Sequence, residues 1–480
     1  MLAEVARLVG STVPMESVRL SGVSDDSRSV VPGDLYLAFS GLHSHGLDFE
    51  REAFERGAVA VLSDRPSTVL PSIVVADPRR RAGDVCALVH RFPSDDMDVY
   101  GVTGTNGKTS TALLLAAGLK STGDTVGTVT GLGLAGPATW LPTARTTPEA
   151  ATVQRTLRRF RDEGATAAAM EVSSHAVSER RVEGVRFTSV GFTNLGSDHL
   201  DYHGSMDRYF AAKAELFAAR RTAAAAVGID DAHGRKLAQL VDVPCWTWSA
   251  LDPSADVFGE NIECTGLDTS MTVRTPVGSA AVRLPLLGPH QASNALAALS
   301  MALSVGKNLD DVVMGLERVR AIPGRLERID AGQPFLALVD YMHNTAGQRR
   351  LLPFVRTLVA GRVIVVVGAT GERDPGKRFP LGVTAANLAD VVIVSDESPL
   401  SEDPDIIRDE VADGARAADS AIVFVEPERR AALTLAVEIA EPDDVVVVAG
   451  RGCDAEQVYG RDVFEFDDRT VLGEVLSDLR

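Results

Sequence analysis

Cysteine is scarce in this chain. Four of them (Cys86, Cys245, Cys264 and Cys453) lie far apart in 480 residues, with no C-x-x-C pair. A disulfide scaffold is therefore not expected, and free thiols in a reducing cytoplasm are. Long apolar runs are also lacking: nothing reaches the about 18 uninterrupted residues of a membrane span. The N-terminus, MLAEVARLVG, has neither the basic start nor the long apolar run of a signal peptide. Positive charge is in deficit, with 48 Lys and Arg against 66 Asp and Glu and a formal net charge of −18. Nucleic acid is thereby a poor partner, since a phosphate backbone needs a basic face. Small anionic substrates stay compatible with the composition, provided that a site gathers Arg and Lys locally. No tandem repeat and no low-complexity tract is present.

What is there suits a globular protein of two or three domains, because 480 residues exceed one core. Residues 1–95 mix short strand-like runs (Gly33–Ser40, Ala58–Ser63, Ser72–Ala76) with turns such as Pro32-Gly33. Over 96–322 apolar strands (Val99–Thr103, Ala167–Val172, Val190–Thr193, Ala223–Gly228) alternate with helices, which predicts a parallel sheet covered by helices. After Ile322-Pro323-Gly324 the pattern restarts over 323–480 with Leu336–Asp340, Val363–Gly368, Val391–Ser395, Ala421–Val425 and Val445–Ala449. Strands this rich in valine predict a second α/β domain.

The most specific motif is GVTGTNGKTS at 101–110. Glycines let the backbone turn its N–H groups around a polyphosphate, and the helix that follows offers its N-terminal dipole. Gly104, Thr105, Asn106 and Gly107 form the loop, Lys108 can reach the β- and γ-phosphates, and Thr109 can hold Mg²⁺ beside Ser110. A chance glycine turn does not explain strand, loop and helix signals in this order, so ATP binding is predicted.

Two further clusters carry chemistry. In MEVSSHA (170–176), Glu171 ends a strand, where parallel sheets place their crevices and where a carboxylate suits Mg²⁺ bound with ATP. In residues 192–217, Asn194, Asp198, His199, Asp201, His203 and Lys213 surround a strand-to-helix passage. The two histidines could mean zinc, but no third His or Cys accompanies them; oxygen-ligated magnesium fits better, with His199 as a nitrogen ligand. From its neighbours alone, Lys213 reads as a solvated helix lysine.

Together these motifs resemble the Mur ligases, and within them the members that add the third residue of the peptidoglycan stem peptide. The likeness extends over nearly the whole chain. It implies a three-domain α/β architecture: an N-terminal UDP-binding domain, a central P-loop ATPase-like parallel sheet and a C-terminal Rossmann-like domain. DDSRSVVPGDLYLAF (25–39), with Ser27 and Arg28, resembles the family's uridine-binding segment. TTPEA (146–150) matches the segment that contacts the UDP-muramoyl substrate through Thr146 and Thr147, and Ser173 and Arg181 match residues that hold its acidic peptide. GPHQASNALAA (288–298) supplies Asn294 for the adenine; PGRLE (323–327) and VDYMH (339–343) supply Arg325, Asp340 and His343 near the nucleotide. FDDR (466–469) closes the chain as in the family. The resemblance also implies that Lys213 is carbamylated by CO₂, since a carbamate can help to hold a metal where an ammonium would be repelled. Lys108, Glu171, His199 and Lys213 are then the catalytic set, and Thr109, Glu171, His199 and Lys213 the metal set.

The implied reaction needs ATP and Mg²⁺. A substrate carboxylate attacks the γ-phosphate, and an amino acid's amine attacks the resulting acyl phosphate, giving an amide, ADP and phosphate. A cytoplasmic monomer is expected, without nucleic acid or membrane partners. In the amino-acid pocket, Arg373 is kept to clamp the incoming carboxylate. Where diaminopimelate-adding members read D-N-P-R, this chain reads Glu397-Ser398-Pro399-Leu400. Leucine cannot pair with a distal carboxylate, which disfavours diaminopimelate and leaves L-lysine, L-ornithine or another amino acid. GRGCDAEQ (450–457), with Gly450 and Asp454, replaces the family's G-K-G-H-E-x-Y-Q, and Asn344-Thr345-Ala346 replaces its threonine, proline and aspartate. The alternative is a paralogous amide ligase of a specialised pathway. A silent scaffold is disfavoured by intact Lys108, Thr109, Glu171 and Lys213. The folate polyglutamate ligases share the ATP motif but not the DSR and TTP segments.

Overall fold

The computed structural model describes residues 1–11, 18–41, 44–196 and 198–478, with Asp201 described in its backbone alone. The side chain of Asp201, one of the candidates above, therefore lies outside the described residues. Contacts divide the chain into two compact units. One comprises residues 1–262, 271–282 and 292–318, and the other 263–270, 283–291 and 319–480. Among the described residues, no helix is long and apolar enough to cross a membrane.

The first unit opens with helix α1 (Leu2–Val9) and a parallel sheet of β1 (Gly22–Ser24), β2 (Asp34–Leu37), β3 (Ala60–Ser63) and β4 (Ser72–Val74), in that order. Helix α2 (Pro78–Val89) packs Val85, Cys86 and Val89 against Leu35, Leu62 and Ile73 of the sheet. β1 has no counterpart among the strands expected from the sequence, because a three-residue strand leaves no alternation to detect.

The central sheet runs β5 (Asp98–Thr103), helix α3 (Lys108–Ser121), β6 (Val126–Thr130), β7 (Gly133–Ala135), β8 (Trp140–Leu141), helix α4 (Ala150–Asp162), β9 (Ala167–Glu171), helix α5 (Ser174–Ser178), β10 (Ser189–Phe192), helix α6 (Met206–Ala214), β11 (Ala225–Gly228), β12 (Cys245–Ser249), β13 (Val257–Cys264), β14 (Thr269–Thr275) and β15 (Gly278–Leu284). Its order is 15-14-13-12-11-10-5-9-6-7-8, with β12, β11, β10, β5, β9 and β6 parallel. β9 and β10 are wholly buried, as strands covered on both faces should be. The chain leaves β5 for β6 and returns through β9 on one side and β10 on the other. That reversal opens a crevice at the carboxyl ends of β5, β9 and β10. β13–β15 depart from the expected alternation of strand and helix. Their burial alternates residue by residue, the mark of a sheet covered on one face.

In the second unit β16 (Glu327–Arg328), β17 (Leu336–Asp340), helix α7 (Thr345–Thr357), β18 (Val363–Val367), helix α8 (Arg378–Leu388), β19 (Val391–Val394), helix α9 (Pro404–Ala417), β20 (Ile422–Val425), helix α10 (Arg429–Glu438) and β21 (Val445–Ala449) form a second α/β layer. The sheet order is 16-17-21-18-19-20, parallel except for β16. The valine runs of β18, β19 and β21 are fully buried. A hairpin of β22 (Glu456–Tyr459) and β23 (Asp462–Glu465) precedes the final helix α11 (Asp468–Asp478).

Candidate active site

The loop after β5 folds tightly because two glycines allow it. Gly104 (φ 147°) and Gly107 (φ 88°) hold left-handed conformations, and a Cβ on either would strike the Thr193 hydroxyl or the Asn294 amide oxygen. Asn194 locks the loop from β10: its Oδ1 accepts from Asn106 N–H (3.0 Å), and its Nδ2 donates to the Asn106 carbonyl (3.1 Å). The Thr193 hydroxyl donates to the same carbonyl (2.6 Å). Thr109 and Ser110 are buried in the first turn of α3, and Asn294 is buried beside Gly107.

Two lysines converge on one carbonyl. Lys108 Nζ donates to Gly104 O (3.1 Å) and Thr105 O (2.9 Å), and Lys213 Nζ donates to Gly104 O (2.8 Å). Lys213 is only 1% exposed and lies over the Tyr209 ring at 4.6 Å. A solvated helix lysine is thus ruled out. Burial, then the neighbouring Lys108 charge, hold its pKa well below the ordinary lysine value. Sequence periodicity could not supply this, because burial on α6 is decided by what packs over it.

Glu171 ends β9 and is 1% exposed; its Oε1 accepts from Gly131 N–H (3.0 Å). His199 sits in a left-handed turn (φ 53°), Nε2 3.5 Å from Asp198 Oδ2, and its ring lies 4.7 Å from that of His175. His203 is buried against Ser174, Nε2 to Oγ 2.9 Å. The histidine cluster thus gains His175, and Ser174 is occupied with His203. Among the described residues no three His, Cys, Asp or Glu side chains form a metal cage. A hydroxyl at Thr109 and a carboxylate at Glu171 are nevertheless the oxygen donors that fit Mg²⁺, which takes one or two protein ligands and completes its shell with phosphate and water.

Thr147 ties the neighbouring segment to the same strand end. Its hydroxyl donates to Glu171 O (2.9 Å) and accepts from Ser173 N–H (3.0 Å), and Arg181 Nη1 donates to Thr147 O (3.0 Å). Ser173 caps α5 through Ala176 N–H (3.1 Å). Arg181 is ion-paired with Glu179 (2.6 Å) and Glu149 (3.1 Å), neither of which the sequence singled out. Thr146 is half-buried beside them. In the same unit a cleft of about 850 Å³ is lined by Ser27, Arg28, Arg79, Arg145 and Arg155 together with Asp25 and Glu149. Ser27 Oγ donates to Glu52 Oε2 (2.7 Å), and Arg28 pairs with Asp26 (2.8 Å). Asp26 and Glu52 line the cleft too, so its four arginines are matched by four carboxylates; Arg28 pairs with Asp26 and Arg145 with Glu149, which leaves Arg79 and Arg155 as the cations without a carboxylate partner among the described residues.

In the second unit the remaining candidates stand at the carboxyl ends of strands. Asp340 ends β17, buried, with Oδ2 accepting from Leu326 N–H (2.8 Å); burial raises its carboxyl to about 6 against the pull of Arg325. Arg325 lies over the Tyr341 ring at 4.6 Å, and His343 Nδ1–H donates to Tyr341 O (2.9 Å). Asn344 caps α7 through Gly347 N–H (2.8 Å), which gives the unexpected Asn-Thr-Ala run a structural task. Glu397 is 3% exposed. Its Oε2 accepts from the Thr370 hydroxyl (2.9 Å), while Oε1 has no hydrogen-bond partner among the described residues. Gly450 is close enough that a Cβ there would collide with that oxygen. Asp454 is raised to about 6 by its partial enclosure and, against Arg451, by Glu397. Ser398 Oγ accepts from Val458 N–H (3.2 Å). Leu400, half-buried at φ 57°, donates to Val458 O (3.1 Å) and accepts from Gly460 N–H (2.6 Å). Arg373 is exposed, and Cys453 is half-buried with its thiol pushed up by burial.

This geometry has known counterparts. Residues 19–87 match the Mur ligase family catalytic domain, 102–302 the Mur ligase middle domain, and 324–452 the Mur ligase glutamate ligase domain. A UDP-N-acetylmuramoyl-L-alanyl-D-glutamate–2,6-diaminopimelate ligase of Streptomyces coelicolor is 40% identical over 493 residues, covering 99% of this chain and 96% of the relative. A ligase of the same name from Geobacillus kaustophilus is 38% identical, covering 93% and 92%. A solved structure bearing that name superposes with a TM-score of 0.67 at 29% identity, over 96% of this chain and 95% of that one. The D-alanyl-D-alanyl-adding ligase of Acinetobacter baumannii shares the fold, with a TM-score of 0.70 at 21% identity over 99% and 97%. The chain belongs to the Mur ligase family, with its three-domain α/β architecture, and is an ATP-dependent amide ligase of that type.

Proposed function

We propose that this ligase adds an amino acid as the third residue to UDP-N-acetylmuramoyl-L-alanyl-D-glutamate, and that its amine donor is not meso-diaminopimelate. Residues 1–95 take the UDP moiety, 96–322 hold ATP and 323–480 bind the amino acid. In the cleft around Ser27 and Arg28, Arg79 and Arg155 are the cations that would meet an anionic UDP-sugar, and the loop at 104–110 suits a polyphosphate. Thr109 and Glu171, with His199 nearby, would hold Mg²⁺, which supplies charge neutralisation on the phosphates. The substrate's glutamyl carboxylate attacks the γ-phosphate in line, giving an acyl phosphate and releasing ADP. Lys108 swings from the Gly104 and Thr105 carbonyls to the transferring phosphoryl group. The amine then attacks the acyl carbon and phosphate departs. Burial and the Lys108 charge lower the Lys213 pKa, which favours the unprotonated form that takes up CO₂; the carbamate would face Lys108 with the opposite charge. Arg373 would grip the α-carboxylate of the incoming amino acid.

Leu400 carries the substrate assignment. The Streptomyces and Geobacillus relatives are named as diaminopimelate ligases, yet at this position the chain offers a half-buried alkyl group. An unpaired carboxylate buried against it costs roughly 3–5 kcal/mol. Glu397, with one oxygen unclaimed, instead suits a terminal ammonium, which favours L-lysine or L-ornithine. The changed GRGCDAEQ run favours the second reading, an amide ligase of a specialised pathway that joins another carboxylate and amine.

The deciding measurement is phosphate release with ATP, Mg²⁺ and the UDP-muramoyl dipeptide, against lysine, ornithine and meso-diaminopimelate, with product masses checked. Turnover with lysine or ornithine is expected. Preference for diaminopimelate would overturn the role given to Leu400, and silence with all three in a folded, ATP-binding protein would move the assignment to the second reading.

A further inference from the structure

Behind the candidate amine pocket lies a buried network that takes no part in the reaction sketched above. Glu428 caps helix α10 through the N–H groups of Arg430 and Ala431 (2.9 and 2.6 Å), which fixes Arg429 at its first position. Arg429 and Asp468, the first residue of α11, are both 0% exposed. Arg429 Nε and Nη2 fork onto the two Asp468 oxygens at 2.7 Å each. Nη2 also donates to Ala449 O (3.0 Å), where β21 turns into Gly450, and Nη1 to Asp396 O (3.4 Å), next to Glu397. Arg451, 2% exposed, uses a single nitrogen: Nη2 donates to the carbonyls of Phe466 (2.6 Å), Glu456 (3.1 Å) and Asp454 (3.2 Å). Its Nε stands 3.8 Å from Asp468 Oδ1. Two guanidiniums thus share one carboxylate, and Glu397 stabilises the charge of both.

We propose that Arg429 and Arg451 are positioning residues for the amine site. Arg429 sets the spacing between the loop that carries Glu397, through Asp396 O, and the loop that carries Gly450, through Ala449 O, while Arg451 fixes the path of the chain from Asp454 to Phe466; together they tune affinity for the amine without touching it. The inference rests on the reading that those two loops take the amino acid. It assigns different chemistry to the two arginines. One donor nitrogen serving three carbonyls is a task that an ammonium can also perform, so Arg451 is replaceable by lysine. A fork onto a carboxylate plus two carbonyls engages three nitrogens, and lysine has one.

The test measures KM for the amine, at saturating ATP and UDP-muramoyl dipeptide, with whichever of L-lysine, L-ornithine and meso-diaminopimelate the wild-type chain turns over. Arg451→Ala and Arg429→Lys are expected to raise that KM at least tenfold, with kcat and the KM for ATP within twofold. Arg451→Lys is expected to recover most of the affinity. If Arg451→Ala does not fold, Arg451→Gln, which keeps one donor nitrogen, replaces it with the same expectation in lesser degree. An unchanged amine KM, an equal rise in the KM for ATP, or an Arg451→Lys variant as poor as the alanine overturns the proposal. Glu397→Gln separates the two claims. If it leaves the amine KM unchanged, the pocket itself is misassigned; if it raises KM while Arg451→Ala does not, only the positioning role falls. Amide exchange of residues 396–400 and 450–454 needs no substrate. It should be at least tenfold faster in Arg451→Ala and Arg429→Lys and native-like in Arg451→Lys, and unchanged exchange in the alanine variant overturns the proposal.

Discussion

Lys213 is the residue whose environment departs furthest from what its type suggests. It is 1% exposed, and burial and the Lys108 charge hold its pKa well below the ordinary lysine value, the direction that the proposed carbamylation needs. Lys213→Ala is expected to lose turnover by at least roughly 10²-fold, the scale of removing one preorganised charge stabiliser. A short-chain carboxylic acid should restore part of it, and full activity in the plain alanine variant removes Lys213 from the mechanism. Asp340 gives a second prediction, in stability. Its carboxyl is raised from 3.8 to about 6 because burial penalises the anion. The folded state therefore favours the protonated form; that stability is fully present below about pH 4 and is lost as pH rises through 6. Asp340→Asn keeps the shape without the charge. Relative to wild type it should gain about 2 kcal/mol between pH 4 and pH 7, most of the roughly 3 kcal/mol of the full shift, because each tenfold difference in proton affinity between the folded and unfolded chain is worth about 1.4 kcal/mol. Urea unfolding of both proteins at the two pH values checks this, and a pH-independent difference contradicts it.

At the scale of elements, Leu400 is less free than a loop residue. Its amide and carbonyl both pair with the β22–β23 hairpin, at Val458 and Gly460, so its side chain leaves the backbone from a fixed point at positive φ. Leu400→Arg with Ser398→Asn places a guanidinium at that point. Use of meso-diaminopimelate relative to lysine should rise at least about tenfold, since a hydrogen bond to a charged group contributes about 1.5–3 kcal/mol. No rise would mean that Leu400 does not discriminate. The same element shows what can be read from sequence. The glycine loop, the valine strands and Glu171 at a strand end are local patterns, legible from residues 101–110, 363–367 and 167–171 alone. The pairing of Leu400 with a hairpin some 60 residues on, the ion pairs of Arg181 and the burial of Lys213 are set by distant chain, and no spacing encodes them. β13–β15 escape the sequence pattern for a different reason. Expecting strand and helix to alternate hides a run of strands.

At the scale of the molecule, the two compact units are not two stretches of sequence. The chain passes between them at 262/263, 270/271, 282/283, 291/292 and 318/319. Residues 283–291 give the second unit Leu287, 5% exposed and packed in one core cluster with Leu326, Leu338 and Leu352. Thr269, from the other short excursion, donates its hydroxyl to Leu286 O at 2.9 Å and belongs to the same unit. A cut after residue 318 would leave 319–480 with its sheet intact but with that apolar surface uncovered. Removing a buried leucine side chain costs about 2–5 kcal/mol, a large share of a domain's usual stability of about 5–15 kcal/mol. The fragment 319–480 should therefore unfold at a lower urea concentration than the second unit does within the whole chain, followed by amide exchange of β18 and β21. Leu287→Ala in the whole chain should reproduce much of the loss. If the fragment is protected as fully as the intact protein, the excursion is a surface strap and the core of the second unit is complete without it.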